Sequence, residues 1–282
     1  MLQWFYLIRQ EEKKMELFEL CRKIQLQKEV VSRLYDVVKN IHFPVLADQL
    51  DRLTDIRTAP EAYEELKNYF GEDPDNLSLL ACSLECAARD YEKYRQKHIP
   101  DEIYVDTMKC FTRFIGECYA ETGRYAFDRG WWTYRQLSMT LFRIGALEYE
   151  WTRYENKPAI AVHIPSDADF RDASVEESLR QSVEFCKKYY PEYTGCRYTC
   201  DSWLLSPKLG ALLDESSNIR KFQRRFDLIS TNPDDREFIQ WLFHVSAETD
   251  CRKLKEDTSL QRKVKKVLLE GDNIGSAYGV MR

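Results

Sequence analysis

Apolar side chains at Leu77, Leu80, Leu84, Ala88 and Tyr91 recur every three or four residues. That spacing lays one stripe along a helix and predicts a buried helix starting near Leu77. The rhythm holds through roughly the first 120 residues, interrupted by polar breaks such as Asp73-Pro74-Asp75 and Ile99-Pro100-Asp101. Pro100 falls near the start of the next predicted helix, where its missing N–H costs nothing. That helix carries Ile103, Met108, Phe111, Ile115 and Tyr119 and is expected to stop at Gly123.

After Trp131-Trp132 the period changes. From Leu141 to Thr152 the side chains alternate, with Ile144, Ala146, Glu148 and Glu150 on one side and Gly145, Leu147, Tyr149 and Trp151 on the other, which predicts a strand. Asn156-Lys157-Pro158 breaks it, and Ala159 to Ile164 reads as a second strand closing an antiparallel hairpin. Ser174-Val175-Glu176-Glu177 has the S-x-x-E form of a capping box, followed by Val175, Leu179, Val183, Cys186 and Tyr190 on one helical face. Pro191 ends this helix, and Tyr198 to Leu205 reads as a strand. A crossover of that length implies parallel pairing of the strands at 159 and 198, with right-handed connection. A helical stretch from Lys208 to Arg225, a strand at FDLIS, a turn at Asn232-Pro233-Asp234-Asp235 and a strand from Phe238 to Val245 follow. Gly271, Gly275 and Gly279 mark a turn and a last strand; without a following helix they are no dinucleotide fingerprint. The expected fold is α+β: an all-helical N-terminal domain over 1–123 and a mixed α/β domain over 124–282.

Length and composition narrow the function classes. At 282 residues the chain exceeds the usual ~100 to 200 residues of one domain, and 44% hydrophobic with 32% charged residues is a globular profile. With 42 basic against 47 acidic residues, the net charge of -5 gives no bulk footprint for nucleic acid. The apolar start, Met1 to Ile8, lacks the basic region and cleavage site of a signal peptide, and no segment approaches ~18 uninterrupted apolar residues, so no membrane partner is expected. Nine cysteines without a CxxC pair fit a reducing cytoplasm better than a disulfide framework or a zinc ribbon. Cys82 with Cys86, and Cys196 with Cys200, read as buried thiols.

In a βαβ unit ligands bind at the carboxyl ends of the strands, beside the N–H groups of the following helix. His163, Ser166, Asp167 and Asp169 fall where the first of these strands ends, and Asp201 and Ser202 lie within the second. His163 and Asp201 are candidate general bases, set against the plainer reading of satisfied polar groups on strand faces. Glu148 and Glu150 share one strand face and admit the same two readings. The turn after Pro165 has no glycine, and Asp167, Asp169 and Asp172 would repel a phosphate. Carboxylates could ligate Mg²⁺ or Ca²⁺. The reading adopted is that they complement the helix dipole, with no metal site.

Three stretches carry a resemblance: HIPSDADF at 163–170, CDSWLLSPKLGALL at 200–213 and SNIRKFQRRFDL at 217–228. Together with the order hairpin, strand, helix, strand, helix, two strands, they resemble a bacterial acyltransferase family that joins a helical N-acyltransferase N-terminal domain to a GNAT-like C-terminal domain. The resemblance covers nearly the whole chain. It implies an N-acyltransferase that moves an acyl group, expected to be acetyl, from acetyl-CoA or another acyl-CoA to a small-molecule or peptide amine. The alternative is a GNAT-like module without catalysis that binds a small polar ligand or a protein. The resemblance implies His163 or Asp201 as base, Ser166 and Asp167 at the cofactor turn, and Ser202, Ser217 and Asn218 as polar contacts to the cofactor. Phe222 stands where the family's aromatic often bears a hydroxyl. Where the family's pyrophosphate loop reads Q/R-x-x-G-x-G/A, this chain reads PSDADFRDA. Three readings of that turn stay open: CoA bound another way, a metal across the carboxylates, or a different ligand.

Overall fold

The computed structural model describes residues 15–282, so the apolar start, Met1 to Ile8, lies outside the described residues. The chain packs as two compact units. One takes the described residues from 15 to 112 together with Phe127–Ser138, the other Arg113–Ala126 with Met139–Arg282.

The first unit is built from α1 (Leu17–Lys23), α2 (Lys28–Lys39), α3 (Ala47–Leu53), α4 (Ala59–Phe70), α5 (Leu77–Gln96) and α6 (Asp101–Met108). The α7 helix (Cys110–Thr122) leads into the second unit, and α8 (Gly130–Leu137) returns to the first. Helix α5 is the hub, touching α1, α2, α3, α4, α6 and α8. The stripe expected from Leu77 is buried at Leu77, Leu80, Leu84 and Ala88, with Cys82 and Cys86 beside it. Its first turn is held by Asp73, whose carboxylate accepts from the N–H groups of Leu77 (3.0 Å) and Ser78 (2.7 Å). The single helix expected up to Gly123 is two helices broken at Lys109. Just ahead of the break Thr107 Oγ1 donates back to the Ile103 carbonyl at 2.6 Å, a contact that bends helices.

In the second unit six strands form one sheet in the order β1-β2-β3-β4-β6-β5. The strand expected over 141–152 is two, β1 (Leu141–Ile144) and β2 (Leu147–Tyr154). Gly145 at φ +62 turns the chain between them. A Cβ there would lie 3.3 Å from that of Ser178. The hairpin to β3 (Lys157–His163) is as expected, but its turn is Glu155-Asn156, both at positive φ, as tight two-residue hairpins demand.

Helix α9 (Asp172–Tyr189) then crosses to β4 (Arg197–Ser202), which pairs parallel to β3. The helix starts two residues before the expected capping box at Ser174. The Asp169 carboxylate accepts from the Arg171 backbone N–H (3.2 Å) and the Ser174 hydroxyl (2.6 Å), so Ser174 serves inside the first turn. The buried face is Val175, Ser178, Ser182, Phe185 and Cys186, while Val183 is 38% exposed. The face is rotated because the two serines are hydrogen-bonded into the core.

Beyond β4 come α10 (Pro207–Ala211), α11 (Asn218–Gln223), β5 (Phe226–Asn232), α12 (Phe238–Phe243), α13 (Ser259–Leu269) and β6 (Ser276–Met281). Residues 238–243 are helix where a strand was expected. Phe238, Ile239 and Phe243 bury one side of a short helix in a satellite core with Leu209, Val264 and Leu268. Among the described residues no helix is long and apolar enough to cross a membrane.

Candidate active site

Strands β3 and β4 are bonded through three rows only, Ala159 with Arg197, Ile160 with Tyr198 and Ala161 with Thr199. Beyond that, β3 continues to His163 against β2, and β4 continues to Ser202 against β6. The sheet therefore splits at the carboxyl ends of its two parallel strands, where open α/β sheets bind ligands. His163 and Asp201 each stand two residues past the last shared row. Side chains two apart share a face, so these two flank the split on the same side of the sheet.

That side carries ionisable groups. His163 Nε2 lies 2.8 Å from Glu150 Oε2. Glu148, directly across from His163 in register, is 3% exposed and accepts from Arg113 Nη2 at 2.7 Å. Arg113, from α7, also comes within 3.8 Å of Asp167 and 3.7 Å of Glu117. The Ser166 hydroxyl donates to the Glu117 carboxylate. Arg113 thus ties the sheet to the turn that follows β3. At Asp201 burial and, after it, the nearby Asp235 push the carboxyl above its usual range. Glu237 is raised by burial first, then by Asp235 and Asp201.

The opposite face packs on α9 with neutral hydroxyls. Ser178 Oγ donates to the Ile144 carbonyl and accepts from the Leu147 N–H at 3.1 Å, with the Tyr149 hydroxyl 2.8 Å away. Ser182 Oγ sits 2.9 Å from the Tyr198 hydroxyl.

The acidic turn is balanced by arginines. Arg143 Nη1 donates to Asp167 at 2.9 Å, Arg171 Nε to Asp169 at 2.8 Å, and Arg225 Nη2 to Asp172 at 2.7 Å. Arg171 and Ser174 hold Asp169 well below the usual carboxylate range. Arg143, Asp167, Asp169, Arg171 and Ser174 line a depression of about 570 Å³ beside the first turn of α9. Among the described residues no cluster of three or more His, Cys, Asp or Glu side chains is placed to hold a metal ion.

The remaining nominated residues sit at helix starts. Ser202 Oγ accepts from the Leu204 N–H at 3.1 Å, and Ser217 caps α11 by accepting from the Arg220 N–H at 3.2 Å. Asn218 is the exposed first residue of α11. That helix packs on α9, and Phe222 meets Phe170 with ring centroids 5.0 Å apart. The structure thus gathers Ser166, Asp167 and His163 around the end of β3, sets Asp201 and Ser202 across the split, and carries Ser217 and Asn218 on the helix beside α9. Arg113, Arg143 and Arg225 were not singled out from the sequence; only the excess of carboxylates in the turn hinted that cations must come from elsewhere.

A mixed sheet split between two parallel strands, with a helix crossing between them, defines a GNAT-like acyltransferase fold. Residues 141–281 match the GNAT-like C-terminal domain and residues 15–139 the N-acyltransferase N-terminal domain. The chain belongs to the family that joins these two domains. Among solved structures it is similar to an acyltransferase in complex with decanoyl-CoA and teicoplanin, at 21% identity and TM-score 0.79, over 94% of this chain and 87% of that one. It is also similar to an acyltransferase mutant in complex with octanoyl-CoA, at 19% identity and TM-score 0.77 over the same shares. A third, an acyltransferase with decanoyl-CoA, matches at 19% identity and TM-score 0.69, over 95% and 99%. No curated protein matches this chain.

Proposed function

We propose that the protein is an acyl-CoA-dependent N-acyltransferase acting on a small-molecule or peptide amine. The observation that carries this is the split between β3 and β4 with His163 and Asp201 on its two lips. A thioester placed in the split meets an amine arriving on that face. His163 takes the proton from the attacking nitrogen, and Asp201, whose carboxyl is raised, is the rival for that role. The phosphates of CoA fit the first turn of α9, where backbone N–H groups point outward and Arg143, Arg171 and Arg225 stand within reach of the turn. Each guanidinium satisfies a carboxylate, so the arginines cancel the negative charge with which Asp167, Asp169 and Asp172 would repel a phosphate. Ser166 and Asp167 on the turn, Ser202 at the split, and Ser217 and Asn218 on α11 complete the donor site in this reading. The working division of the chain, helical over 1–123 and acyltransferase over 124–282, belongs to the same reading.

The structural relatives carrying decanoyl and octanoyl thioesters favour a donor chain longer than acetyl, and the relative holding teicoplanin favours an acceptor larger than a simple amine. Calorimetric titration with acetyl-, octanoyl- and decanoyl-CoA tests this. Micromolar binding that strengthens with chain length is the expected result. No binding of any of the three up to millimolar concentration would remove the acyltransferase reading.

A further inference from the structure

We propose that Glu150 is the positioning residue of the base His163, beside a Glu148 that Arg113 holds. This rests on the reading of His163 as base. Two glutamates flank the imidazole on one sheet face, Glu148 directly across from it and Glu150 diagonally. Glu150 bonds the ring at 2.8 Å, while Glu148 accepts from Arg113 at 2.7 Å. Nearby, Arg113 comes close to Glu117 and Asp167, Arg143 bonds Asp167, and Asp201 stands across the split.

A carboxylate on Nε2 fixes that nitrogen as the protonated one, which makes Nδ1 the basic nitrogen of the neutral ring. In the transfer the amine nitrogen forms its bond to the acyl carbon and gives its proton to the imidazole. The carbon–sulfur bond breaks, and the CoA thiolate takes up a proton from the imidazolium or from water. Glu150 stabilises the imidazolium at the moment it forms. Its effect falls on turnover and not on donor binding.

The test measures thiol release from acetyl-CoA and decanoyl-CoA, with glycinamide and octylamine as amine probes. It compares the parent protein with His163→Ala, Glu150→Gln and Glu150→Met, each checked for folding by its thermal melt. Glutamine keeps an acceptor oxygen without the charge, so kcat should fall about 10-fold in Glu150→Gln and about 100-fold in Glu150→Met, with KM for the thioester within about twofold. A purely structural role would lower the melting temperature and raise KM along with the loss of kcat, and would not separate the glutamine variant from the methionine one. Turnover within twofold of the parent in Glu150→Met while His163→Ala is inactive would overturn the inference and leave the base reading standing. Activity surviving in His163→Ala would overturn both.

Discussion

On the face of the second unit's sheet that α9 covers, Tyr149 and Tyr198 meet Ser178 and Ser182, and every group in the network is a neutral hydroxyl. On the other face stand Glu148, Glu150, His163 and Asp201, with Arg113 reaching in from α7. Burial pushes both tyrosine hydroxyls up, Tyr198 to about 12, so the covered face keeps its protons at any ordinary pH. The facing side is the one that can exchange protons. Neutral networks fix a shape, and charged ones hold chemistry in reserve. The same six strands serve both ends because alternate side chains point to opposite sides.

The most severe way to probe this division is His163→Ala, expected to lower kcat by about 10²- to 10⁴-fold in a thiol-release assay. Tyr198→Phe, on the covered face, should leave kcat within about twofold. Equal losses in the two would end the distinction between the faces.

A buried carboxylate bonded to a lysine extends the comparison to the first unit. Asp90 in α5 is 1% exposed and bonds the half-exposed Lys93 at 2.6 Å, and burial raises its carboxyl to about 6. A group raised in the folded state favours folding below its unfolded value and loses that contribution as pH climbs through its folded one. Asp90→Asn should therefore gain on the parent between about pH 4 and pH 6, by up to about 3 kcal/mol. Urea denaturation at pH 4 and pH 7 checks it, and a difference independent of pH would refute it.

Removing the central hydroxyl of the covered face is milder. Ser178→Ala leaves the Ile144 carbonyl, the Leu147 N–H and the Tyr149 hydroxyl each short of a partner, and about 1 to 3 kcal/mol of stability should be lost in the same denaturation experiment. Smallest of all is Val183→Lys on the outward side of α9. A change within about 0.5 kcal/mol is expected, and a larger loss would mean that the helix presents a different face to the sheet.

Much of this frame was legible in the sequence, because the signals were local. The stripe from Leu77, the βαβ order of 157–202 and the last strand after Gly275 all follow from spacing within a few residues. The misreadings share a cause as well. Gly145 breaks an alternating run without disturbing its rhythm, and Phe238 to Phe243 is too short a run for periodicity to separate strand from helix. Helix α13 drew no prediction at all, although its capping box of Thr258 and Gln261 is complete. The candidate site was legible in its strand-borne half. His163 and Asp201 come from the strands that the pattern defined, whereas Arg113 arrives from 35 positions before Glu148 and Arg225 from 53 beyond Asp172. Pairing across such distances leaves no trace in local order.

The parting of β3 and β4 can also be read as a ladder with missing rungs. Beyond Ala161 and Thr199 two main-chain edges still face each other with no strand between them. A guest with amide links along its length would find donors and acceptors there at the spacing of a sheet, and could be held by backbone alone whatever side chains surround it. Substitutions along this stretch that spare the backbone would then change which guest reacts more readily than whether one is held.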